Sequence, residues 1–311
     1  MKRYLVFPQD FDTRAYALEE EKESWEERPR QLHRENKRKL LEQLELELGS
    51  HDFDAKVARF KEIGISPFSM VSFHNRFFAE ARQAFIVGSY YPALTGACAL
   101  GERMLNHMLL ILRDEFIHTP EYKRVYRKKS FDDWGLAINT LKAWGVLDDT
   151  LEAEFNALKE LRNKSIHFNQ ETYANAKDDG LNAIKIISEI ISLRFGFFRK
   201  EHTWGIEGTR GAQFIKKEFE ADPFIKHFYI PKCPLVGPYY AINILNEGIL
   251  FVDRTDYEDT EISDEIFSDV FNNRKVDEVS KSDLPLSEDI NPIGILLPDG
   301  SYRLTKKVHL E

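Results

Sequence analysis

The chain has 311 residues, which indicates two domains or one domain with large extensions. Its 42% apolar content is enough for a packed core and argues against disorder throughout. The formal net charge of -9 argues against broad, non-specific binding of nucleic acids, although a local basic patch remains compatible with it.

Cysteine content and hydropathy exclude further classes of protein. Cys98 and Cys233 are the only cysteines, too few for a disulfide framework or a cysteine zinc site. Cys98 lies in an apolar run and is interpreted as a core residue rather than a nucleophile. No apolar stretch is long enough to cross a membrane, and the run after Met1 is too short for a signal peptide. We therefore expect a soluble, cytoplasmic protein.

Residues 1–66 predict an N-terminal helical extension. A short strand is expected at 4–7. Residues 15–48 are dense in charge and predict a helix with a break near Pro29, and residues 52–63 predict a shorter one. The charged helix is interpreted as a solvated, amphipathic element packed by leucines, with a partner-binding helix as the alternative.

Residues 67–201 predict a central helical domain. Apolar residues recur at helical spacing in five stretches, 69–87, 90–116, 132–143, 151–168 and 178–200. The second stretch is the most apolar and carries Glu102 in the middle of its apolar face. A carboxylate there needs a partner, and we expect it to pair with Arg162. The alternative is that Glu102 caps or reaches solvent where two helices cross.

The loop predicted at 119–130 carries a basic segment, which we define as residues 123–129. Its candidate RNA-binding residues are Lys123, Arg124, Tyr126, Arg127, Lys128 and Lys129. The ordinary interpretation of such a run is a solvated face. The alternative is a patch that contacts phosphates and stacks a base on its tyrosine.

The composition changes after Lys200, and residues 202–311 predict a small α+β accessory domain. The glycines between 204 and 211 match no nucleotide-binding pattern and indicate a linker or turn. Strand-like runs follow, with one hairpin expected near residues 246–248 and a second near 298–300. These runs are 226–230, 239–245, 248–252, 293–297 and 302–304.

The helix predicted at 151–168 carries the most informative pattern of the chain. Asn163 and His167 lie about one turn apart on one helical face. Arg162 falls inside the apolar stripe, where a guanidinium is costly to bury unless it is paired or faces a second surface. The helix thus carries an arginine that packing does not require, beside an amide and an imidazole.

The R-N-x-x-x-H pattern formed by Arg162, Asn163 and His167 resembles the signature of the HEPN superfamily, helical domains that include many metal-independent ribonucleases. Residues 89–105 look like the long second helix of such domains, and residues 130–146 look like the helix and turn before the motif helix. The resemblance covers roughly residues 67–201. It implies a mainly α chain built on an antiparallel helical bundle, a metal-independent endoribonuclease activity, and a composite site at a dimer interface.

These residue types suit RNA cleavage by attack of the 2′-hydroxyl. Histidine suits the proton transfers because its unperturbed pKa lies near neutrality, so His167 is the candidate for them. The planar, permanently charged Arg162 suits the phosphoryl oxygens, Asn163 can orient either group, and Glu102 supports Arg162. No metal or other cofactor is expected, because no HExxH motif or Cys–His cluster is present.

One motif supplies one histidine, so we expect a homodimer that apposes two motif helices, with RNA as substrate and room for a regulatory protein partner. A catalytic domain with flanking regions resembles a toxin or an anti-phage effector. The alternatives are a non-catalytic HEPN-like binding module and a scaffold with a dead site. In a third, purely structural interpretation, Arg162 and His167 only stabilise helix ends and a charged core pair.

Overall fold

The computed structural model describes residues 1–7, 11–70, 72–166, 174–196, 203–245, 248–254, 257, 260–275, 278–279, 290–296 and 302–304. Over these residues the protein is mainly helical, with short strands concentrated towards the C-terminal end, so the predicted mainly α fold is confirmed. Among the residues described, no helix combines the length and the apolar character needed to cross a membrane.

Contacts divide the chain into two compact units. The helical unit comprises Asp10–Ser69 and His74–Gly196, and the mixed unit comprises Met1–Gln9, Met70–Phe73 and Phe197–Glu311. The helices predicted as an N-terminal extension therefore belong to the same unit as the central helices. The three-part division at 1–66, 67–201 and 202–311 stays a prediction about domains that fold on their own.

The helical unit follows the predicted order of helices with small shifts at their ends. Its helices are α1 Glu27–Leu48, α2 Phe53–Ile63, α3 Ser72–Ile86, α4 Tyr90–Leu112, α5 Tyr122–Val125, α6 Trp134–Ala143, α7 Asp149–Ile166 and α8 Ala176–Ile190. A 3-10 turn, Arg14–Leu18, precedes α1, another, Arg113–Phe116, follows α4, and a π-helical turn, Ile191–Phe195, follows α8.

The predicted break near Pro29 is wrong in detail. Pro29 lies in the first turn of α1, which begins at Glu27. A proline is tolerated there because the first backbone N–H groups of a helix have no partner inside the helix. The loop predicted at 119–130 differs in a similar way, since it contains the single helical turn α5.

The core of the bundle forms around α4, which packs against α6, α7 and α8. Helix α4 approaches α6 and α7 closely at Gly101. A Cβ atom at this position would lie 2.4 Å from Cδ2 of Leu158 on α7 and 3.0 Å from the indole of Trp134 on α6. Both neighbours are buried, so the helices reach this spacing only because residue 101 has no side chain.

The described residues of the mixed unit form two antiparallel sheets. The first has the order β2–β1–β3, with β1 Arg3–Val6, β2 Gln213–Phe214 and β3 Leu235–Val236. The second has the order β4–β5–β6–β7, with β4 Ala241–Leu245, β5 Gly248–Arg254, β6 Ile290–Leu296 and β7 Tyr302–Leu304. Both predicted hairpins are confirmed, since β4 pairs with β5 and β6 pairs with β7.

Helix α9, Asp264–Asn273, packs its phenylalanines into the core of the mixed unit. The buried Arg3 of β1 binds the start of this helix through the carboxylates of Glu261 at 2.8 Å and Asp264 at 2.6 Å. The short strand predicted at 4–7 is therefore present, but it is completed by partners more than 200 residues later in the sequence.

The strand predicted at 226–230 is wrong, because Ile225–Tyr229 form a helical turn. The side chain of Asp222 accepts hydrogen bonds from the backbone N–H groups of Phe224 and Ile225, both at 2.9 Å, and so caps this turn. Phe224 and Phe228 then stack with ring centroids 4.5 Å apart, a contact that requires helical spacing of four residues.

Both thiols are buried, as the sequence predicts for Cys98. The side chain of Cys98 is 1% exposed on α4, and burial raises its pKa to about 12 despite the nearby positive charge of Arg162. Burial also raises the pKa of Cys233. Because the thiolate is the nucleophilic form, neither cysteine is suited to covalent catalysis.

Candidate functional site

Arg162 lies in the last described turn of α7. The helix is fixed to the bundle by Leu151, Phe155 and Leu158, which are buried at helical spacing. Arg162 continues this stripe, but its side chain remains 25% exposed. The buried stripe of α7 therefore ends at Arg162, whose side chain lies at the boundary between the core and the surface.

Glu102 on α4 is the acidic partner of this arginine. Its Oε2 atom lies 3.5 Å from Nη2 of Arg162, so the predicted contact is confirmed. The same oxygen accepts a hydrogen bond from Nε1 of Trp134 at 3.0 Å. The tryptophan was not predicted to take part, and it holds the carboxylate in place from the side of α6.

The ion pair is partly exposed rather than buried. The side chain of Glu102 is 35% exposed and that of Arg162 25%. The placement of both residues on apolar helical faces favours a buried pair, and that expectation is wrong. A pair this accessible is screened by water, and we expect it to contribute about 1 kcal/mol or less to stability.

The guanidinium of Arg162 is only loosely held. Its Nη1 atom lies 3.5 Å from Oδ1 of Asn163, and its Nε atom is buried and has no hydrogen-bond partner within the described part of the chain. Charge-assisted hydrogen bonds of arginine are normally about 2.7–2.9 Å long. The two Nη groups thus retain N–H donors for an additional acceptor, for which a phosphate has suitable geometry, whereas the buried Nε does not face solvent.

The third residue of the motif, His167, lies outside the described residues. Its placement relative to Arg162 and Asn163 stays a prediction. The end of the motif helix is nevertheless anchored, because Nζ of Lys164 lies 3.1 Å from the carboxylate of Asp179 in the first turn of α8. Sequence reasoning did not single out this salt bridge.

A single amide fixes the segment that carries Trp134. Nδ2 of Asn106 on α4 donates to the carbonyl of Phe131 at 2.8 Å, and Oδ1 of Asn106 accepts from its N–H at 2.6 Å. The side chain thereby pairs with both backbone polar groups of Phe131, as a residue of a neighbouring antiparallel strand would. Asp133 then caps α6 by accepting from the N–H of Leu136 at 3.0 Å.

The candidate RNA-binding residues are all exposed, but the structure places them apart from the ion pair. They flank the far end of α4, where Nη1 of Arg113 donates to the carbonyl of Lys128 at 2.7 Å. The guanidinium of Arg127 lies 5.0 Å from the ring centroid of Tyr126. The exposed residues are Lys123, Arg124, Tyr126, Arg127, Lys128 and Lys129.

A cleft of about 480 Å³ lies elsewhere in the helical unit, between α1, α2 and α3, and includes neither Arg162 nor Glu102. The buried Arg82 on its wall donates to the carbonyls of Gly64 at 2.6 Å and Ile65 at 3.1 Å. These contacts cap the C-terminal end of α2, where a positive charge is favourable. Arg82 therefore has a structural task.

Within the described ranges, no group of three or more histidine, cysteine, aspartate or glutamate side chains is placed to hold a metal ion. Comparison of the chain with protein-family models, curated proteins and solved structures finds no match. The geometry around Arg162 and the sequence motif therefore carry the functional argument.

Proposed function

We propose that the protein is a metal-independent endoribonuclease of the HEPN type. The observation that carries the proposal is the partly exposed, loosely held guanidinium of Arg162, positioned by Glu102 and flanked by Asn163 within the R-N-x-x-x-H pattern. An arginine that only stabilised packing would be expected to satisfy its donors at shorter distances.

In the proposed reaction, the 2′-oxygen of RNA attacks the adjacent phosphorus while its proton passes to a base. The bond between phosphorus and the 5′-oxygen breaks, and the leaving oxygen takes a proton from an acid. The products are a 2′,3′-cyclic phosphate, or the 3′-phosphate after its hydrolysis, and a free 5′-hydroxyl. His167 is assigned to proton transfer, and Arg162 to the charge that develops on the phosphoryl oxygens.

A homodimer is expected, because one motif supplies one histidine and the reaction needs both a base and an acid. A two-fold axis beside α7 would bring two copies of Arg162 and His167 to one cleft. Light scattering of the purified protein at micromolar concentration is expected to give the mass of two chains. A monomer, with or without RNA, would contradict the composite site.

The activity itself is tested with purified protein, mixed RNA and EDTA. Cleavage is expected to persist in the chelator and to leave 2′,3′-cyclic phosphate ends. DNA of the same sequence is expected to stay intact, because it lacks the attacking hydroxyl. Strict dependence on a divalent metal, or cleavage of the DNA at the same site, would overturn the mechanism.

The second candidate function is a non-catalytic HEPN-like binding module. It is favoured by the contact of Arg162 with Glu102, which gives the arginine a structural partner. Under this alternative, RNA stays intact although the protein is folded. If RNA is cleaved, we propose a role as a toxin or anti-phage effector, because a catalytic domain with flanking regions resembles such proteins.

A further inference from the structure

We propose that single-stranded RNA runs beside residues 128–134, from Arg162 to the basic segment. The substrate of the site would then be a single strand with about five stacked nucleotides on one side of the cleaved bond. This inference rests on the proposed function and adds the form of RNA and the direction in which it lies.

Residues 128–134 follow one face of α4 in the opposite direction. Three side chains of α4 and the turn after it contact this segment: Arg113 at Lys128, Asn106 at Phe131 and Glu102 at Trp134. At 100° per residue, the three positions lie within about 40° of one another around the helix axis. Residues 128–134 are therefore held in a fixed register along α4, and they run from the basic segment to the Glu102–Arg162 ion pair.

This register gives the distance between the two phosphate-binding ends. Glu102 and Arg113 are 11 residues apart, which corresponds to about 16 Å along a helix at about 1.5 Å per residue. A stacked strand advances about 3.4 Å per nucleotide, so about five nucleotides bridge the two ends. An extended strand bridges them with fewer.

The basic segment differs from other cations of the helical unit in being unpaired. Within the described part of the chain, none of its five lysines and arginines lies within 4.0 Å of a carboxylate. By contrast, Lys37 and Arg38 on α1 pair with Glu20 and Glu42. The charge of the segment is therefore not neutralised within the protein, and it is available to phosphates.

Tyr126 supplies a surface on which a base can stack. Its side chain is 40% exposed, and the guanidinium of Arg127 and the ring of Tyr122 lie within 5.0 and 5.6 Å of its centroid. Unpaired bases stack on aromatic rings and on guanidinium planes, whereas a duplex offers no free base faces. The basic segment therefore favours binding of single-stranded RNA over binding of a duplex.

Asp132 and Asp133 are exposed between the two ends. Their carboxylates repel phosphates, so we expect the backbone of the strand to be held at Arg162 and at the basic segment, and not between them. This arrangement predicts that an RNA long enough to reach both ends binds more tightly than one that reaches only one end.

Binding is measured by fluorescence anisotropy with a single strand of about twelve nucleotides that carries 2′-O-methyl groups, which prevent cleavage. The variant Arg127→Gln/Lys128→Gln/Lys129→Gln is expected to bind about tenfold more weakly at low salt. Its slope of log affinity against log salt is expected to fall by about 2, since each phosphate contact contributes about 0.7 for single strands. A strand of about three nucleotides cannot reach both ends, so the parent is expected to bind it more weakly than the strand of about twelve nucleotides.

The matched control is Lys37→Gln/Arg38→Gln/Lys39→Gln on α1, which removes the same charge from exposed or half-buried positions. It is expected to bind like the parent. The proposed path is wrong if the two triple variants weaken binding equally, if the first binds like the parent, or if a duplex binds as tightly as the single strand. Equally tight binding of the three-nucleotide and the twelve-nucleotide strands by the parent would also overturn the spacing.

The two proposals fail separately. If binding follows the expected pattern while unmodified RNA stays intact, the strand path stands and the ribonuclease proposal is overturned. If unmodified RNA is cleaved while the first triple variant binds like the parent, the ribonuclease proposal stands and the path is wrong.

Discussion

Replacing Arg162 or His167 with alanine is expected to lower the rate of RNA cleavage by about 10²–10⁴-fold while the protein stays folded. The histidine variant loses a proton-transfer group, and the arginine variant loses the charge on the phosphoryl oxygens. Because the pair with Glu102 is partly exposed, Arg162→Ala should cost about 1 kcal/mol or less of unfolding free energy. Loss of activity therefore should not reflect unfolding.

Two further variants sharpen this test. Arg162→Lys should not restore full activity, because an ammonium cannot make the two-pronged contact with a phosphate. Lys159→Ala, which removes a cation from the preceding turn of the same helix, should cleave like the parent. A folded, dimeric His167→Ala protein that cleaves RNA at the parental rate would remove the basis for the mechanism.

The second large effect is expected at Gly101. Gly101 directly precedes Glu102, and a methyl group there would lie 2.4 Å from Leu158, which is one turn before Arg162. Gly101→Ala should therefore push α7 away from α4 and lower the unfolding free energy by about 1–3 kcal/mol. It should also lower cleavage by about 10²-fold, because a displacement near 1 Å can cost that much in rate.

Gly96→Ala on the same helix provides the matched control. Its added methyl group would meet Cβ of Ala81 at 3.5 Å, an ordinary van der Waals contact. Replacing a helical glycine by alanine there should leave stability unchanged or raise it by up to about 1 kcal/mol. Thermal unfolding and cleavage assays on both variants compare the effects, and equal behaviour of the two would show that the close approach at Gly101 does not position the site.

The fold could be predicted where the pattern was local. The helices of the central region follow from apolar residues at helical spacing, and both hairpins follow from short alternating runs around turn residues. The strand predicted at 226–230 failed because five residues fit either period. The capping carboxylate of Asp222 was the overlooked signal for a helical turn.

The part of the candidate site that depends on local patterns within single helices was also predicted. A carboxylate and a guanidinium on the apolar faces of two helices indicate a pair, and Glu102 and Arg162 do meet. The contributions of Trp134, Asn106 and Gly101 depend on the register between helices, which the spacing within one helix does not fix. The exposure of the pair depends on the same register, and it changes the expected contribution of the pair to stability.

The anchors of residues 128–134 have an evolutionary consequence. Arg113 and Asn106 hold backbone atoms of Lys128 and Phe131, so neither anchor depends on the identity of a side chain. The exposed side chains of the intervening turn can therefore be exchanged without moving Trp134 or the carboxylate that it holds. Under the proposed function, exchange of this loop is expected to change the preference for RNA while Arg162 and Glu102 stay in place, and transplanting the loop would be a route to redirecting the protein towards a chosen RNA.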